Sequence, residues 1–311
     1  MDPADTSLYF HAQCFDGVAS AVISKAYLVE RLGWQDPVLV PVSYGVQNEW
    51  LKLPFGPRTA VVDFLFHPEA RFWADHHETT FLAAPPQHLD PLWFYDPKAD
   101  SCAGMLARAL PERGFYPTRF SHLTAWAEKI DAALYTSPEE AVFPRAAALL
   151  VNVSLIDASP DDCSALVRFL GNGSLEEAAR LPSVSTRASA QMRRVEAGLA
   201  VVREAIRVDD GIAVFAVDVS ADIVVHRYAP YLFAPQARYS AGLIRMPDRI
   251  RLTVMRNPWL EFESVHLGRL CARFGGGGHQ RVGAATFPPT EFRRAMQAFA
   301  EVQKAMRAQS S

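Results

Sequence analysis

Short apolar runs alternate with helical patterns over the first hundred residues, and this alternation restricts the fold more than any other feature of the sequence. The runs SLYFHA, VLVPVSYG, TAVVDFLFH, RFWADHH and LWFYDP are typical of strands, and GVASAVISKAYLVERLG and SCAGMLARALPERG are typical of helices. TAVVDFLF is apolar on both faces, as expected of a strand in a parallel sheet covered by helices. The pattern therefore predicts an α/β fold in which ligands bind at the carboxyl ends of the strands.

A second pattern begins after a mainly helical middle segment. The stretch TRASAQMRRVEAGLAVVREAI indicates a polar helix that connects two domains. Beyond it, GIAVFAVDVS, AGLIRM and RIRLTVMR indicate strands separated by the turn signals DDG and MPD. We therefore predict a first domain at residues 1–183, a connector helix at 184–207 and a smaller α/β domain at 208–311.

Composition excludes several classes of protein. The 311 residues are 50% hydrophobic and 21% charged, which is ordinary for a globular chain. The opening MDPADTSLYF has no signal-peptide pattern, and no apolar run is long enough to cross a bilayer, so we expect a cytoplasmic protein without a membrane partner. The cysteines form no CxxC pair and are expected to be reduced: Cys14, Cys102, Cys163 and Cys271.

Charge is distributed unevenly along the chain. The net charge of −3 argues against a surface that coats long duplex nucleic acid. From Arg238 to the end there are 12 Lys or Arg and 5 Asp or Glu, a local charge of +7, which leaves −10 for residues 1–237. The basic segment is a candidate anion-binding region, although a chance difference in surface charge between domains explains the asymmetry equally well.

Potential metal ligands follow the strand-like run RFWA. Asp75, His76 and His77 occur in succession where that strand should reach the carboxyl edge of the sheet. Burying such groups costs several kcal/mol unless hydrogen bonds or a metal compensate, and a divalent cation would satisfy them together. In an extended chain Asp75 and His77 face one way and His76 the other. A solvated loop with two histidines is the alternative.

Two further positions place polar groups near the same edge. Asp63 lies in VVDFLF between apolar neighbours, where it indicates a ligand unless it caps a helix or meets an arginine. YFHAQCFDGVASAV places His11, Cys14 and Asp16 in the turn between the first strand and helix, where ligands and helix-terminal amides occur together. Alternatively, Asp16 and Gly17 only build the turn.

The segment FGGGGHQ near the end indicates a second anion site. Gly275, Gly276, Gly277 and Gly278 would let successive backbone N–H groups form an anion nest, with His279 alongside. Arg256 ends RLTVMR with a fork suited to a phosphate or carboxylate. A flexible linker is disfavoured because apolar FPPTEF and a helical tail follow and need anchoring.

An Asp-Gly turn after the first strand, an Asp in a later strand, the Asp75-His76-His77 triplet and FGGGGHQRVGAATF occur in this order. The set covers nearly the whole chain and resembles the DHH superfamily of phosphoesterases with its DHH-associated domain. The triplet alone is weak evidence, whereas the ordered set is specific. The resemblance implies an N-terminal parallel-sheet DHH domain that binds metal and catalyses, and a smaller C-terminal α/β domain that binds substrate.

The resemblance also implies a set of metal ligands. Asp16, Asp63 and His76 would bind one divalent ion, and His11 and Asp63 would contribute to a second, with Asp63 bridging the two. One or two ions would be bound, and the resemblance favours Mn²⁺. Asp131, in AWAEKIDAALY, matches a later Asp ligand of the family, although its helical pattern alone would make it a solvated residue.

Roles in catalysis and substrate binding follow from the same resemblance. His77 matches a substrate-side histidine that stabilises charge on phosphoryl oxygens, and Asp75 would orient a ligand histidine. Ser101 and Cys102, in DSCAG, match a small-residue motif that lines the site in relatives, and an ordinary helix N-cap is equally compatible with Ser101. The glycine run, His279 and Arg256 match the substrate-binding part of the second domain.

Cys14 departs from the family pattern, because relatives usually carry two Asp in the first turn and Cys14 takes the earlier position. Either Cys14 is a thiolate ligand, which would shift metal preference from manganese towards zinc or iron, or His11, Asp63 and water hold a weak second metal. From the sequence we favour the weaker second site.

The function implied is hydrolysis of short nucleotide substrates by metal-activated water. Short oligonucleotides, adenosine bisphosphate and cyclic or linear dinucleotides are the candidate substrates. A polyphosphate or pyrophosphate hydrolase is one alternative, and a non-catalytic nucleotide-sensing module, suggested by Cys14, is another. The sequence leaves a homodimer open and does not identify the substrate, the cleavage polarity or the metal.

Overall fold

Two compact units make up the chain in the computed structural model, which describes residues 6–308. The outer ends of the predicted domains, at residues 1 and 311, lie outside the described residues. One unit consists of the described residues up to Tyr135 together with Pro144–Ser189. The other consists of Thr136–Phe143 together with the described residues from Ala190 onward.

A five-stranded parallel sheet forms the centre of the first unit, in the order β2-β1-β3-β4-β5. Its strands are β1 (Thr6–His11), β2 (Val38–Val42), β3 (Arg58–Val62), β4 (Phe72–Asp75) and β5 (Trp93–Tyr95). Each strand comes from one of the five predicted runs. All of β3 and β4 except Arg58 is buried, because the apolar residues face packed layers on both sides. The predicted α/β fold with a parallel sheet is confirmed.

Helices cover one face of this sheet. The helices of the chain that begin before residue 190, of which α4 belongs to the second unit, are α1 (Phe15–Glu30), α2 (Cys102–Ala109), α3 (Ser121–Asp131), α4 (Pro138–Val142), α5 (Ala147–Leu155), α6 (Pro160–Leu170), α7 (Leu175–Arg180) and α8 (Pro182–Ala205). Alternate strand residues such as Leu8, Phe10 and Phe72 share one core with α1, α2, α3, α5, α6 and α7. Among residues 6–308, no helix has the length and apolar character needed to cross a membrane.

The opposite face of the sheet differs from the prediction of a helical cover on both sides. Trp73 and Val61 pack there against aromatic side chains from the loops, including Trp50 and Phe64. The indole N–H groups of Trp50 and Trp73 donate to the carbonyl oxygens of Leu65 and Phe64, at 3.1 and 3.0 Å. These bonds hold the backbone that directly follows Asp63, so the aromatic layer fixes a loop at the carboxyl edge.

The strand predicted through VVDFLF ends earlier than the apolar pattern indicates. β3 ends at Val62, and Asp63 has a φ of +52°, in the left-handed region. That conformation costs of order 1–3 kcal/mol for a residue other than glycine and persists only where surrounding contacts enforce it. The chain therefore turns at Asp63, and the carboxylate lies at the strand's carboxyl end.

A mixed six-stranded sheet forms the core of the second unit, in the order β10-β11-β9-β8-β7-β6. Its strands are β6 (Arg207–Asp209), β7 (Ile212–Asp218), β8 (Tyr239–Arg245), β9 (Ile250–Arg256), β10 (Gly277–Gly278) and β11 (Val282–Phe287). Its helices after α8 are α9 (Ala229–Phe233), α10 (Leu267–Ala272) and α11 (Phe292–Ala308). Only β7 and β8 pair in parallel among these strands. A second α/β unit was predicted, and β7, β8 and β9 are its three predicted strands.

The segment predicted as a connector, residues 184–207, lies almost wholly within α8. The division between the two units falls inside this helix, between Ser189 and Ala190. β6 begins at Arg207, next to the predicted boundary. The predicted domain ranges remain a prediction, since they also include residues that the structure does not describe.

Gly17 provides a test of how α1 meets the sheet. A Cβ atom at Gly17 would lie 2.2 Å from the carbonyl oxygen of His11, which is too close for any side chain. We expect Gly17→Ala to push α1 away from β1 and to lower the free energy of unfolding by about 1–3 kcal/mol. Urea unfolding followed by circular dichroism measures the change.

Gly45→Ala is the matched control, because a Cβ there would meet only Ser43 Oγ at 3.7 Å, an ordinary contact. Its unfolding free energy should stay within about 0.5 kcal/mol of the parent value. Equal stabilities of the Gly17 and Gly45 variants would contradict the close packing of α1 against β1.

Candidate metal centre

Polar side chains converge at the carboxyl edge of the parallel sheet. His11 ends β1, Asp63 directly follows β3, and Asp75 ends β4. β1, β3 and β4 are neighbours and run in the same direction, so their carboxyl ends lie side by side. The local rule that predicted ligands at strand ends therefore brings residues from distant parts of the sequence into one cluster.

Asp16, in the first turn of α1, is held by the start of another helix. Its two carboxylate oxygens accept the N–H groups of Cys102 and Ala103, at 2.7 and 2.9 Å. Ser101 is the N-cap of α2, and its Oγ accepts the N–H of Gly104 at 2.9 Å. Ser101 is fully buried and the DSCAG segment positions Asp16, while substrate contact at Ser101 stays a prediction.

Asp63 is fully buried, and neither carboxylate oxygen has a hydrogen-bond partner within residues 6–308. Oδ2 lies 3.4 Å from His11 Nδ1, and Oδ1 lies 3.7 Å from His76 Nε2. Burial raises the pKa of Asp63 well above its usual range, and the nearby Asp16 carboxylate raises it further. A cation between these groups would compensate the buried charge.

Asp75 organises the two histidines that follow it. Its Oδ1 accepts the backbone N–H of His76 at 2.8 Å and lies 2.8 Å from His77 Nδ1. His77 is about a third exposed, with 31% of its side chain accessible. Burial lowers the pKa of His77, but the Asp75 carboxylate outweighs it and raises the pKa overall. Asp75 therefore fixes the His77 ring in one orientation.

His76 points into the cluster of carboxylates. Its Nδ1 lies 2.9 Å from the carbonyl oxygen of Ala99. Its Nε2 lies 3.3 Å from Asp131 Oδ2 and 3.6 Å from Asp16 Oδ2. Burial lowers the pKa of His76, but the Asp131 and Asp16 carboxylates outweigh burial and raise the pKa to about 9. Asp131, at the end of α3, thus lies beside the ligand histidine that the resemblance assigns.

Three sets of potential ligand atoms occur in this cluster, each with its atoms within 4.8 Å of one another. They are His11-Cys14-Asp63, Asp63-His76-His77 and Asp16-His76-Asp131. All six metal ligands predicted from the sequence, counting Cys14, belong to at least one set. Their nitrogen, oxygen and sulfur donors fit a divalent cation, and the unpartnered oxygens of Asp63 favour one.

Cys14 is half-buried directly before α1, and it is a free thiol like the other three cysteines. Burial raises the pKa of its thiol well above the ordinary value, and the carboxylates of Asp63 and Asp16 raise it further. The thiol therefore lies among acidic groups rather than in an apolar core.

Tyr44 is a residue at this site that the sequence reasoning missed. Its ring centroid lies 5.2 Å from that of His11, and its side chain is exposed by 40%. Burial raises the pKa of the phenol, as do the carboxylates of Asp75 and Asp63, so the hydroxyl stays protonated. The signal was present in the sequence, because Tyr44 follows the carboxyl end of β2 by two residues.

The predicted anion-binding residues of the second unit lie in its own structure. Arg256 is 6% exposed and donates to the carbonyl oxygens of Asn257 and Phe262, both at 3.0 Å. Its guanidinium also lies 4.3 Å from the centre of the Phe262 ring. Two of its donors are therefore engaged within the unit, and substrate contact at Arg256 stays a prediction.

The glycine run is ordered and serves partly as packing. The N–H groups of Gly275 and Gly276 donate to the carbonyl oxygens of Ala272 and Cys271, both at 3.1 Å, so these two amides are not free for an anion. Gly277 and Gly278 form β10, and His279, which follows, is exposed. The run is therefore not a flexible linker, the alternative that the sequence disfavoured. Substrate contact at His279 stays a prediction.

Comparison with known proteins gives the fold and no sequence-level assignment. No family model and no curated protein matches the chain. A pGpG-specific phosphodiesterase, PggH from Vibrio cholerae, superposes with a TM-score of 0.73 at 18% identity, over 96% of this chain and 99% of that chain. RecJ with Mn²⁺ from Thermus thermophilus superposes with a TM-score of 0.55 at 14% identity, over 97% and 52%. Exonuclease RecJ bound to manganese superposes with a TM-score of 0.52 at 15% identity, over 96% of this chain and 90% of that chain.

These similarities show that the chain has the fold of the DHH phosphoesterases, as the resemblance in its sequence predicted. The likeness extends over both units of the chain. Identities below one fifth show the fold alone, so the chemistry has to be argued from the site itself.

Metal binding at this cluster should release protons. At pH 7 the metal-free protein holds a proton on His76, because its pKa is about 9, and a metal ligand must lose that proton. The apparent affinity for Mn²⁺ should therefore rise as pH increases from about 6 to 9. Isothermal titration calorimetry in buffers of different ionisation enthalpy counts the protons released.

His76→Gln removes the titrating ring, and the count at pH 7 should fall by about one. His88→Gln, at an exposed histidine of the same unit outside the cluster, should leave it unchanged. An affinity for Mn²⁺ that is independent of pH would show that these groups do not bind the metal.

Proposed function

We propose that this protein is a divalent-metal-dependent phosphoesterase that hydrolyses short nucleotide substrates with activated water. The observation that carries the proposal is the fully buried carboxylate of Asp63, which has no hydrogen-bond partner among the described residues and lies between the ring nitrogens of His11 and His76. A buried carboxylate of this kind costs several kcal/mol in the absence of a cation. The shared fold with metal-bound RecJ supports the same conclusion.

Asp16, Asp63, His76 and Asp131 would hold one ion, and Asp63 and His11 would contribute to a second. A bound divalent ion supplies positive charge that polarises phosphoryl oxygens and lowers the pKa of water. Asp16 is fixed for this role by two backbone N–H groups of α2, so it is oriented before any ion binds. For the ion held by Asp16, Asp63, His76 and Asp131 we infer Mn²⁺, from the resemblance and from the manganese-bound structural neighbour.

His77 and Asp75 would act on the substrate side. Asp75 Oδ1 lies 2.8 Å from His77 Nδ1, and its charge raises the pKa of the ring. A protonated His77 can donate to a phosphoryl oxygen and stabilise the negative charge that grows on it. Asp75 acts through His77 and is a positioning residue.

Short 5′-phosphorylated dinucleotides are the substrates we favour. The neighbour that superposes over 99% of its own length is described as specific for pGpG. Short oligonucleotides and adenosine bisphosphate remain in the proposed range, and we expect activity in the cytoplasm. Neither long duplex nucleic acid nor a membrane is among the proposed partners. A polyphosphate hydrolase and a nucleotide sensor are the competing functions.

Chelation tests the proposal directly. Metal-free protein should not hydrolyse pGpG, pApA, adenosine bisphosphate, cyclic dinucleotides or polyphosphate, and Mn²⁺ should restore hydrolysis of the dinucleotides first. His76→Ala should lose more than a hundredfold in kcat/KM because it removes a ligand, while circular dichroism shows a folded protein.

Chromatographic product analysis distinguishes the competing functions. Release of phosphate from polyphosphate alone would replace the nucleotide assignment, and binding without turnover would indicate a sensor. Full activity of purified His76→Ala in Mn²⁺ would overturn the metal-dependent mechanism.

The exposed His279 gives a test of the second unit. If His279 contacts the substrate, His279→Ala should lower kcat/KM for a dinucleotide by roughly tenfold or more, the value of one lost charge-assisted contact. Hydrolysis of bis-p-nitrophenyl phosphate, which lacks the nucleoside that such a contact would bind, should be nearly unchanged. Steady-state kinetics with both substrates separates these effects.

Gln280→Ala is the matched control, since Gln280 is the exposed neighbour. For Arg256→Ala we expect a lower stability of the second unit. The Arg256 guanidinium donates to the carbonyl oxygens of Asn257 and Phe262 and lies over the Phe262 ring. Equal losses on both substrates for His279→Ala would count against a role in substrate binding.

A further inference from the structure

The two oxygens of Asp63 face different groups. Oδ1 lies 3.7 Å from His76 Nε2, in the part of the cluster that contains only nitrogen and oxygen donors. Oδ2 lies 3.4 Å from His11 Nδ1, and the thiol of Cys14 belongs to this second set. The cluster therefore has two halves that share Asp63 and differ in one donor, a sulfur atom.

Besides Cys14, the second half contains two buried polar atoms that lack a hydrogen-bond partner among the described residues. Asp63 Oδ2 and His11 Nδ1 are both inaccessible, and neither has a hydrogen-bond partner in the part of the chain that is described. Their separation of 3.4 Å equals the edge of a tetrahedron about an ion with ligand distances of about 2.1 Å. The pair is thus spaced for two ligands of one ion.

Cys14 occupies the N-cap position of α1, where serine, threonine, aspartate or asparagine is the usual residue. Cys14 is the N-cap residue of α1, yet its side chain makes no capping hydrogen bond. Ser101, Ser159 and Ser174 occupy the same position in α2, α6 and α7, and each accepts an N–H group. Cys14 therefore differs from the serine caps of these other helices.

We propose that Cys14 Sγ, His11 Nδ1 and Asp63 Oδ2 form a thiolate-containing metal site that selects Zn²⁺ or Fe²⁺ over Mn²⁺ and Mg²⁺. This inference rests on the proposed metal-dependent function and replaces the weaker second site that we favoured from the sequence. On binding, the S–H bond breaks as the sulfur–metal bond forms, and the proton passes to solvent. Thiolate and imidazole donors favour these softer ions, whereas carboxylate sets suit manganese and magnesium.

The two halves of the cluster would then hold different metals. The set of Asp16, His76 and Asp131 contains one imidazole and two carboxylates, a donor set that accepts Mn²⁺. Asp63 would contribute an oxygen to each half. The softer ion would bind more tightly in the half that contains Cys14, and Mn²⁺ in the other half.

Titration of the metal-free full-length chain with Co²⁺ tests this site without reference to activity. A cobalt–thiolate bond gives a near-ultraviolet charge-transfer band, which oxygen and nitrogen ligands do not give. The wild type should develop this band with one equivalent bound at the thiolate site. Cys14→Ser should lose the band and bind one cobalt fewer per chain by elemental analysis.

Cys271→Ala is the control, because Cys271 lies in α10 of the second unit, and it should keep the band. Cys14→Asp restores an oxygen donor, and its Zn²⁺-to-Mn²⁺ affinity ratio should fall at least tenfold below that of the wild type. Absence of the band in the wild type, or its persistence in folded Cys14→Ser, would overturn the proposal. Hydrolysis is measured separately, so a protein with the band but no turnover would refute only the proposed function.

Discussion

The buried, unpartnered carboxylate of Asp63 is the constraint on which the other features of the site depend. A carboxylate in such a place requires either a proton or a cation, and the imidazole nitrogens of His11 and His76 lie close enough to share a cation with it. Its backbone is held in the left-handed region, which the fold must enforce. The site is therefore prepared by the fold at a cost in stability, as is common where function needs a fixed geometry.

The enforcing contacts come from opposite sides of the sheet. On the aromatic side, the indole N–H groups of Trp50 and Trp73 donate to the carbonyl oxygens of Leu65 and Phe64, which follow Asp63 in sequence. The other aromatic side chains of this layer pack around them. On the helical side, the first amides of α2 hold Asp16, and Gly17 lets α1 approach the end of β1 closely. Two separate cores thus position carboxylates within reach of one histidine, His76.

Sequence reasoning predicted the parts of this arrangement that depend on local patterns. Apolar runs and turn signals predicted the strands, and ligands at the carboxyl ends of adjacent parallel strands lie close together. The place of Asp131 beside His76 depends on where α3 packs, which no pattern around AWAEKIDAALY encodes, and only the family resemblance indicated it. The aromatic cover of the second face was missed because loop residues carry no periodicity.

The second unit shows a similar dependence on tertiary contacts. Arg256 was predicted to bind an anion, and its guanidinium also turns inward towards two carbonyl oxygens and an aromatic ring. The glycine run was read as an anion nest, yet two of its amides close the turn after α10. In both cases the sequence identifies the hydrogen-bond donor, but tertiary contacts determine which acceptor it meets.

The charges at the site also determine how pH acts on the protein with and without metal. Burial raises the pKa of Asp16 from 3.8 to about 6, and the surrounding carboxylates raise that of His76 from 6.5 to about 9 despite its burial. In both cases the metal-free folded chain binds protons more tightly than the unfolded chain. The contribution of Asp16 to stability is therefore lost as pH rises from about 4 to 6, and that of His76 from about 6.5 to 9. A bound cation would reverse this dependence, because it binds the same groups only after they lose their protons. Metal binding should therefore stabilise the fold most at the higher pH, where the metal-free site stabilises it least.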